Sequence, residues 1–350
     1  MRVAGLVSGG SADGIDAVLA DVEMGESGRI AARSLTTRWN PYAREMRQRI
    51  LEPAPGVSEL ARLHWELGAC FGEVALSVMS GRGRAELVGA QGQTVCSLPD
   101  EGVSLQLGEP AAIVERTGVP VIANFRSADL AAGGRGGPLA AFPDWHLLAD
   151  DKETRACLNL GSIGTVTLLP AGGGLEDVTA FDVGPANLLI DLSGGDPGGA
   201  AALLGSVSKG LLDELHGHPF LRRRPPKAWS RLDGETASRL LAMQQYELPR
   251  ADLMATLVAL TAESVEEALA SERVDRLLIS GGGVYNRALV RELGRRFRVL
   301  PTDAFGIGAR AKEALACAVL AFAAWHRIPA SLPRVTGARH PAVLGQLCQA

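Results

Sequence analysis

The chain has 350 residues, of which 47% are hydrophobic and 21% charged, and its formal net charge is −4. This length allows two domains, or one two-lobed unit, with a substantial core. The weakly acidic balance and the few aromatic residues exclude bulk attraction to nucleic acid or anionic membranes, so we expect neither as a partner. Five scattered cysteines, and a start without a signal-peptide pattern, predict reduced thiols and a cytoplasmic location.

The first part of the chain alternates strand and helix patterns. Apolar runs around the turn at residues 8–14 predict a β-hairpin, and the later spacing of Leu63, Leu67 and Phe71 is typical of a helix. The predicted strands are 2–7, 15–23, 28–40 and 85–95, and the predicted helices are 41–51 and 57–79.

A second set of elements begins at Ala156 with the same layout: an apolar run, a turn of Gly, Ser and Asn, and another apolar run. A strand ending at Asp182 and a helix from Pro185 follow. Long helices are predicted over 251–271 and 308–325. The stretch 193–250, with its Gly, Pro and Arg residues, is expected to be a partly irregular insertion.

Two halves that each begin with a glycine-rich hairpin resemble the layout of the actin, hexokinase and Hsp70 superfamily. The resemblance implies an α/β, two-lobed, actin/hexokinase-like fold: a duplicated mixed β-sheet with flanking helices and a central cleft. We expect an N-terminal lobe over 1–132 and a C-terminal lobe over 133–350.

Three glycine-rich turns are candidates for binding a nucleotide. Consecutive backbone N–H groups in such turns form an anion-binding nest, and glycine allows the positive φ angles that a nest requires. A carboxylate there would repel phosphate unless a cation lies between them, so Asp13 predicts Mg²⁺ held through water. Gly, Ser and Asp are also ordinary turn formers, and plain turns remain the alternative. In the second and third turns the candidates are Asn159, Gly161, Ser162, Gly281, Gly282, Gly283 and Asn286.

The stretch "FDVGPANLLID" carries the candidate catalytic residue. Its Asp182 is expected at the end of a strand and just before a helix. A carboxylate in that position suits a general base. A structural role as the cap of the helix is equally consistent with the pattern.

Motifs along nearly the whole chain resemble those of the anhydro-N-acetylmuramic acid kinase family. "GLVSGGSADGID" is similar to the family signature GxMSGTSxDGxD, and "GQTV", "LNLGSIGTVT", "FDVGPANLLID" and "LLISGGGVYN" follow in the family order. The resemblance implies a hydrolytic kinase that takes ATP, Mg²⁺, water and 1,6-anhydro-N-acetylmuramic acid. It implies N-acetylmuramic acid 6-phosphate as the product, a place in cell-wall recycling, and a homodimer.

The resemblance also assigns residues to the site. Asp182 matches the aspartate that activates water. Arg126 and Asp129 match sugar-side positions, and Glu313 matches the glutamate of the family's final helix, which would reach the sugar or the metal. An Arg–Asp structural pair and a surface glutamate remain alternatives. The residues that match the ATP-binding signature are Gly9, Gly10, Ser11, Ala12, Asp13, Gly14, Ile15 and Asp16.

Several positions depart from the family pattern, and the acidic pair usual before the last helix is missing from "GARAKEA". Two alternatives therefore stay open: a kinase of a related anhydro sugar such as levoglucosan, and a diverged nucleotide-binding member without kinase activity. The departures nearest the site are Gly10 for Thr, Gln91 for His, Asn124 for Asp, Arg135 for Gln, Val183 for Thr and Ala186 for Gly.

Overall fold

The computed structural model describes residues 1–52, 56–244 and 248–349. The chain divides into two compact units, each with its own sheet. The first unit comprises Met1–Leu147 together with the chain from Arg310 onward, and the second comprises Leu148–Ala309. A mixed sheet flanked by helices in each unit agrees with the duplicated α/β fold class expected from the sequence.

A six-stranded sheet in the order β13-β7-β4-β1-β2-β3 forms the centre of the first unit. Neighbours β1, β2 and β3 are antiparallel, whereas β4 runs parallel to β1 and to β7. The strands of this unit are β1 (Arg2–Val7), β2 (Gly14–Met24), β3 (Ile30–Pro41), β4 (Leu87–Gln91), β5 (Gln93–Leu98), β6 (Val103–Leu107), β7 (Val121–Ala123) and β13 (Gln346–Cys348). Its helices are α1 (Arg44–Leu51), α2 (Val57–Met79), α3 (Pro110–Thr117), α4 (Ser127–Ala131), α5 (Ala141–Leu148), α11 (Lys312–Trp325) and α12 (Pro333–Thr336).

Helix α11 lies directly against the sheet of the first unit because two strand positions carry no side chain. A Cβ atom at Gly5 of β1 would overlap the carbonyl oxygen of Ala314. A Cβ atom at Gly89 of β4 would lie 2.7 Å from the Cβ of Ala321. This close approach fixes the position of the residues just before α11 relative to the sheet.

The second unit is built on a five-stranded sheet in the order β10-β9-β8-β11-β12. Helix α9 is buried along nearly all of the stretch from Leu253 to Val265 and lies in the core of this unit. The strands are β8 (Arg155–Leu160), β9 (Ile163–Leu169), β10 (Thr179–Pro185), β11 (Arg276–Ser280) and β12 (Val299–Pro301). The helices are α6 (Leu188–Leu192), α7 (Lys209–His216), α8 (Arg231–Gln244), α9 (Arg250–Leu269) and α10 (Arg287–Gly294).

The division into units differs from the expected boundary at residue 132. Helix α11 and the last strand, β13, belong to the first unit because α11 packs on β1, β2 and β4, and β13 pairs with β7. The segment 193–250 is also more regular than its composition predicts. Leu211 and Leu215, one helical turn apart, are buried in the core and stabilise α7 there.

Other element bounds differ from the sequence predictions in detail. The single strand predicted at 85–95 is two strands: β4 belongs to the six-stranded sheet, and β5 pairs with β6 in a separate two-stranded sheet of the same unit. Helix α11 begins at Lys312 instead of residue 308. Among the described residues no helix is both long and apolar enough to cross a membrane. All five cysteines are free thiols.

Candidate active site

The first glycine turn joins β1 to β2 and is fixed by buried polar contacts. The hydroxyl oxygen of Ser8 lies 2.6 Å from Gln93 Oε1 and accepts a hydrogen bond from the Tyr42 hydroxyl at 3.0 Å. Ala12 closes the turn by donating its N–H to the carbonyl of Gly9 at 3.1 Å, with a positive φ of 50°. Gly10 lies exposed at the tip of the turn.

The carboxylates of this turn are paired with a base from the far end of the chain. Arg310 Nε donates to Asp16 Oδ1 at 2.7 Å, and Arg310 Nη2 lies 3.5 Å from Asp13 Oδ2. The Ser11 hydroxyl donates to Asp13 Oδ1 at 2.8 Å. Burial raises the pKa of the Asp16 carboxyl, and the Arg310 guanidinium opposes that shift. Residues 8–16 contain no basic residue, and the structure supplies one from just before α11.

The second and third glycine turns lie side by side in the second unit. Gly281, with φ +81°, approaches the β8–β9 turn so closely that a Cβ there would lie 2.6 Å from Asn159 Oδ1. At Gly283 a Cβ would lie 2.6 Å from the Cβ of Leu160. Asn187 holds the turn from the other side, because its side-chain N–H₂ donates to the carbonyls of Leu160 and Gly161 at 2.9 and 2.8 Å.

Asn286 and Ser162 have defined structural contacts in the same region. The Asn286 side chain caps α10 by accepting a hydrogen bond from the N–H of Leu289 at 3.1 Å. The carbonyl of Ser162 accepts hydrogen bonds from the N–H groups of Ala186 and Leu188, each at 3.0 Å. The two glycine turns and the "DVGPAN" stretch are therefore one continuous part of the second unit.

Asp182 lies inside β10, and its half-buried carboxylate is held from two sides. Oδ1 accepts a hydrogen bond from the Thr165 hydroxyl at 2.7 Å, and Oδ2 accepts one from the backbone N–H of Trp229 at 2.8 Å. Two oriented donors fix the direction of the carboxylate, as a general base requires.

The expectation that Asp182 ends a strand before a helix at Pro185 is wrong. A bulge between Asp182 and Gly184 allows β10 to continue pairing with β9 as far as Pro185, and α6 begins only at Leu188. The N-cap position of α6 is Asn187, so the alternative in which Asp182 caps this helix is also wrong.

A segment that the sequence did not place near Asp182 covers this residue. The N–H of Asp182 donates to the carbonyl of Lys227 at 3.3 Å, so the "PPKAW" stretch runs beside β10. Lys227 is buried, with only 7% of the residue exposed. Its Nζ lies 4.7 Å from the ring centroid of Phe220 and 5.9 Å from that of Phe181. Burial lowers the pKa of Lys227, and the negative charge of Asp182 acts against this shift. Two prolines before a lysine were the available signal in the sequence.

The sugar-side candidates lie in the first unit and differ in exposure. Asp129 is fully buried, and its carboxylate accepts hydrogen bonds from the hydroxyls of Ser331 and Thr336 and from the N–H of Gly136. Arg126 donates to the carbonyl of Gly136 at 2.8 Å. This geometry gives Asp129 a structural role in holding the loop after α4. Glu313 is exposed on the first turn of α11.

The departures from the family pattern have mixed consequences. Both side-chain polar atoms of Gln91 are buried without a hydrogen-bond partner in the described part of the chain. Asn124 donates to Gln346 Oε1 at 3.2 Å and accepts from the Ser127 hydroxyl at 2.6 Å. Arg135 pairs with Asp100 at 3.2 Å. Val183 and Ala186 are buried beside Gly164, where small and apolar side chains pack the β9–β10 pair.

A resident metal site is not formed by the described residues, in which no group of three or more His, Cys, Asp or Glu side chains could hold an ion. Asp13 alone, with a half-exposed side chain, fits the water-mediated contact that a hydrated magnesium ion makes.

Comparison with known proteins gives matches over the whole chain. The model of the anhydro-N-acetylmuramic acid kinase family matches residues 1–350. The anhydro-N-acetylmuramic acid kinase of Salinibacter ruber is 40% identical over 99% of this chain and 95% of its own length. The enzymes of that name from Gloeobacter violaceus and Bacillus cereus are 40% and 33% identical over 98% and 99% of this chain, and over 97% and 99% of their own lengths.

Solved structures with some likeness include the activator of 2-hydroxyisocaproyl-CoA dehydratase from Clostridium difficile, at 13% identity and a TM-score of 0.45, covering 92% of this chain and 94% of that one. A ROK family glucokinase from Streptomyces griseus has 12% identity and a TM-score of 0.42 over 92% of this chain and 99% of that one. The full-length family match places the chain among the kinases. It belongs to the anhydro-N-acetylmuramic acid kinase family.

Proposed function

We propose that this protein converts 1,6-anhydro-N-acetylmuramic acid to N-acetylmuramic acid 6-phosphate with ATP and water, in the recycling of cell-wall peptidoglycan. Membership of the family across all 350 residues supports this assignment. The observation that carries it is the Asp182 carboxylate, oriented by Thr165 at 2.7 Å and by the Trp229 N–H at 2.8 Å.

Asp182 acts as the general base. Water gives its oxygen to C1 of the sugar and its proton to the Asp182 carboxylate, a contribution that is typically about 10²–10⁴-fold for a positioned base. The C1–O6 bond breaks, and its electron pair goes to O6. O6 then attacks the γ-phosphorus of ATP, and the bond from that phosphorus to the bridging oxygen breaks to release ADP.

The glycine turns bind the nucleotide. The first turn contributes Gly9 to Asp16, and the paired turns of the second unit contribute residues 159–162, residues 281–283 and Asn286. Backbone N–H groups in such turns suit phosphate oxygens. When bound, Mg²⁺ supplies positive charge to the phosphates, and Asp13 holds it through water.

The sugar is recognised on the first unit. The guanidinium of Arg126 suits the lactyl carboxylate because its fork of N–H groups can hold two oxygens. Asp129 positions the loop that Arg126 also contacts, through Gly136. Glu313, exposed at the start of α11, contacts the sugar hydroxyls. The enzyme works in the cytoplasm as a homodimer, as the family resemblance implies.

The test is product formation from ATP, Mg²⁺ and the anhydro sugar, followed by ³¹P NMR and by ADP release. We expect a 6-phosphosugar from 1,6-anhydro-N-acetylmuramic acid and much slower turnover of levoglucosan. Faster turnover of levoglucosan would assign the related sugar instead. No product from either sugar at high enzyme concentration would leave a nucleotide-binding protein without kinase activity.

A further inference from the structure

Arg310 stands out as a charged residue that the proposed reaction does not yet use. It lies two positions before α11, and the close packing of α11 on Gly5 and Gly89 holds this part of the chain against β1 and β4. Its guanidinium contacts Asp16, next to the first glycine turn, although Arg310 and Asp16 are 294 residues apart in the sequence.

The guanidinium is held in one orientation from two sides. Nε donates to Asp16 at 2.7 Å, and the guanidinium carbon lies 4.2 Å from the ring centroid of Trp39. Asp16 and Trp39 are directly opposite each other on β2 and β3, so Arg310 lies over a cross-strand pair. A guanidinium fixed by a carboxylate and an aromatic face loses little further entropy when it binds a ligand.

Part of the Arg310 guanidinium remains accessible to a ligand. Its side chain is 36% exposed. Nε is occupied by Asp16 and Nη2 lies near Asp13, whereas Nη1 makes no hydrogen bond to any residue in the described ranges. Arginine carries five N–H donors in a planar fork, a geometry that matches phosphate oxygens.

The net charge at the first glycine turn also depends on Arg310. Asp13 and Asp16 contribute −2, and Arg310 reduces this to −1. Without Arg310, two carboxylates beside the glycine nest would repel a polyphosphate. Arg47 donates to the carbonyl of Ser11 at 3.4 Å and adds a second positive charge at the rim of the turn.

We propose that Arg310 binds the phosphate chain of the nucleotide, with Asp16 and Trp39 as the residues that orient its guanidinium. This inference rests on the proposed nucleotide site and adds to it a residue that no sequence motif assigned. It also explains how Asp13 and Asp16 can lie at a phosphate-binding turn that contains no basic residue of its own.

The test measures affinities for ATP, AMP and adenosine by calorimetry, with the sugar absent, in Mg²⁺ and in EDTA. For Arg310→Gln we expect ATP affinity to fall by about tenfold or more, as for loss of a charge-assisted hydrogen bond. The loss should be larger in EDTA than in Mg²⁺, because the free carboxylates then repel an unshielded triphosphate. Adenosine affinity should be unchanged, and the loss for AMP should be smaller than for ATP. Arg310→Lys should restore part of the ATP affinity.

Arg116→Gln is the matched control, since Arg116 is an exposed arginine of the same unit, paired with Glu73. It should leave all three affinities unchanged. Unaltered ATP affinity in Arg310→Gln would overturn the inference, and so would equal losses for ATP and adenosine, which would indicate a distorted turn. If the wild-type chain binds neither ATP nor adenosine, the proposed function itself fails, a result distinct from the other two.

Discussion

The hydroxyl of Thr165 donates a hydrogen bond to Oδ1 of Asp182 at 2.7 Å, across the antiparallel pair β9–β10. The two residues are direct cross-strand partners, so the sheet itself sets their separation. With the Trp229 N–H on the other oxygen, the carboxylate has its direction fixed before any substrate binds. Thr165 is therefore a positioning residue for the proposed base.

Replacing Thr165 tests this relationship. Thr165→Val keeps the shape of the side chain but removes the donor, so we expect kcat to fall by about 10- to 100-fold with KM for the sugar nearly unchanged. Thr165→Ser keeps a hydroxyl and should retain most of the activity. Steady-state kinetics on both variants provide the measurement. A Thr165→Val enzyme with wild-type kcat would show that the hydroxyl does not position the base.

Lys227 places a positive charge near the same carboxylate, and its removal should change the pH dependence of the reaction. The charged groups that act on its ammonium are Asp182, Arg223 and Glu267. In Lys227→Met the ionised form of Asp182 loses a favourable interaction. We therefore expect the acid limb of the kcat/KM profile to move to higher pH, by up to about one unit.

Lys227→Arg keeps the charge and serves as the control, with an acid limb close to that of the wild type. A Lys227→Met profile that falls in height without moving along the pH axis would contradict the electrostatic role and indicate a packing role alone.

Because His146 of α5 is buried, we expect the free energy of unfolding to depend on pH, independently of catalysis. Its Nδ1 accepts the N–H of Ile30 at 2.9 Å, and its Nε2 is buried without a hydrogen-bond partner among the described residues. Burial, with a smaller contribution from Arg29, lowers the pKa of His146 from 6.5 to about 4. The unfolded chain therefore takes up a proton at a higher pH than the folded chain does.

It follows that the free energy of unfolding decreases as the pH falls through this window. The contribution of His146 is of the order of 3 kcal/mol between about pH 6.5 and pH 4. In His146→Gln, whose amide oxygen can still accept from Ile30, the decrease should be smaller by that amount. Urea unfolding at a series of pH values measures the difference. Parallel curves for the two proteins would show that His146 is protonated equally in both states.

Much of the fold follows from local patterns in the sequence. The strand β1, the helix α2 and the hairpin β8–β9 were predicted close to their observed positions because apolar runs or helical spacing are strong there. The membership of α11 in the first unit was not predictable. It depends on the absence of side chains at Gly5 and Gly89, which creates a surface that only a distant helix fills.

The candidate site was also predictable only in part. The glycine turns and Asp182 could be chosen from the sequence because each lies in a short motif. Their partners could not, since Arg310, Lys227 and the N–H of Trp229 come from segments distant from those motifs. A backbone donor such as Trp229 leaves no mark in its residue type, and the bulge that keeps Asp182 inside β10 depends on pairing with β9.

The most direct test of the central claim is turnover by Asp182→Asn with ATP, Mg²⁺ and 1,6-anhydro-N-acetylmuramic acid. Asp177→Asn, which removes an exposed carboxylate just before β10, is the matched control. We expect Asp182→Asn to lose at least about 100-fold in kcat while its affinity for ATP stays close to that of the wild type. Asp177→Asn should turn over normally. Wild-type turnover by Asp182→Asn would contradict the account, because the group that activates water would then lie elsewhere.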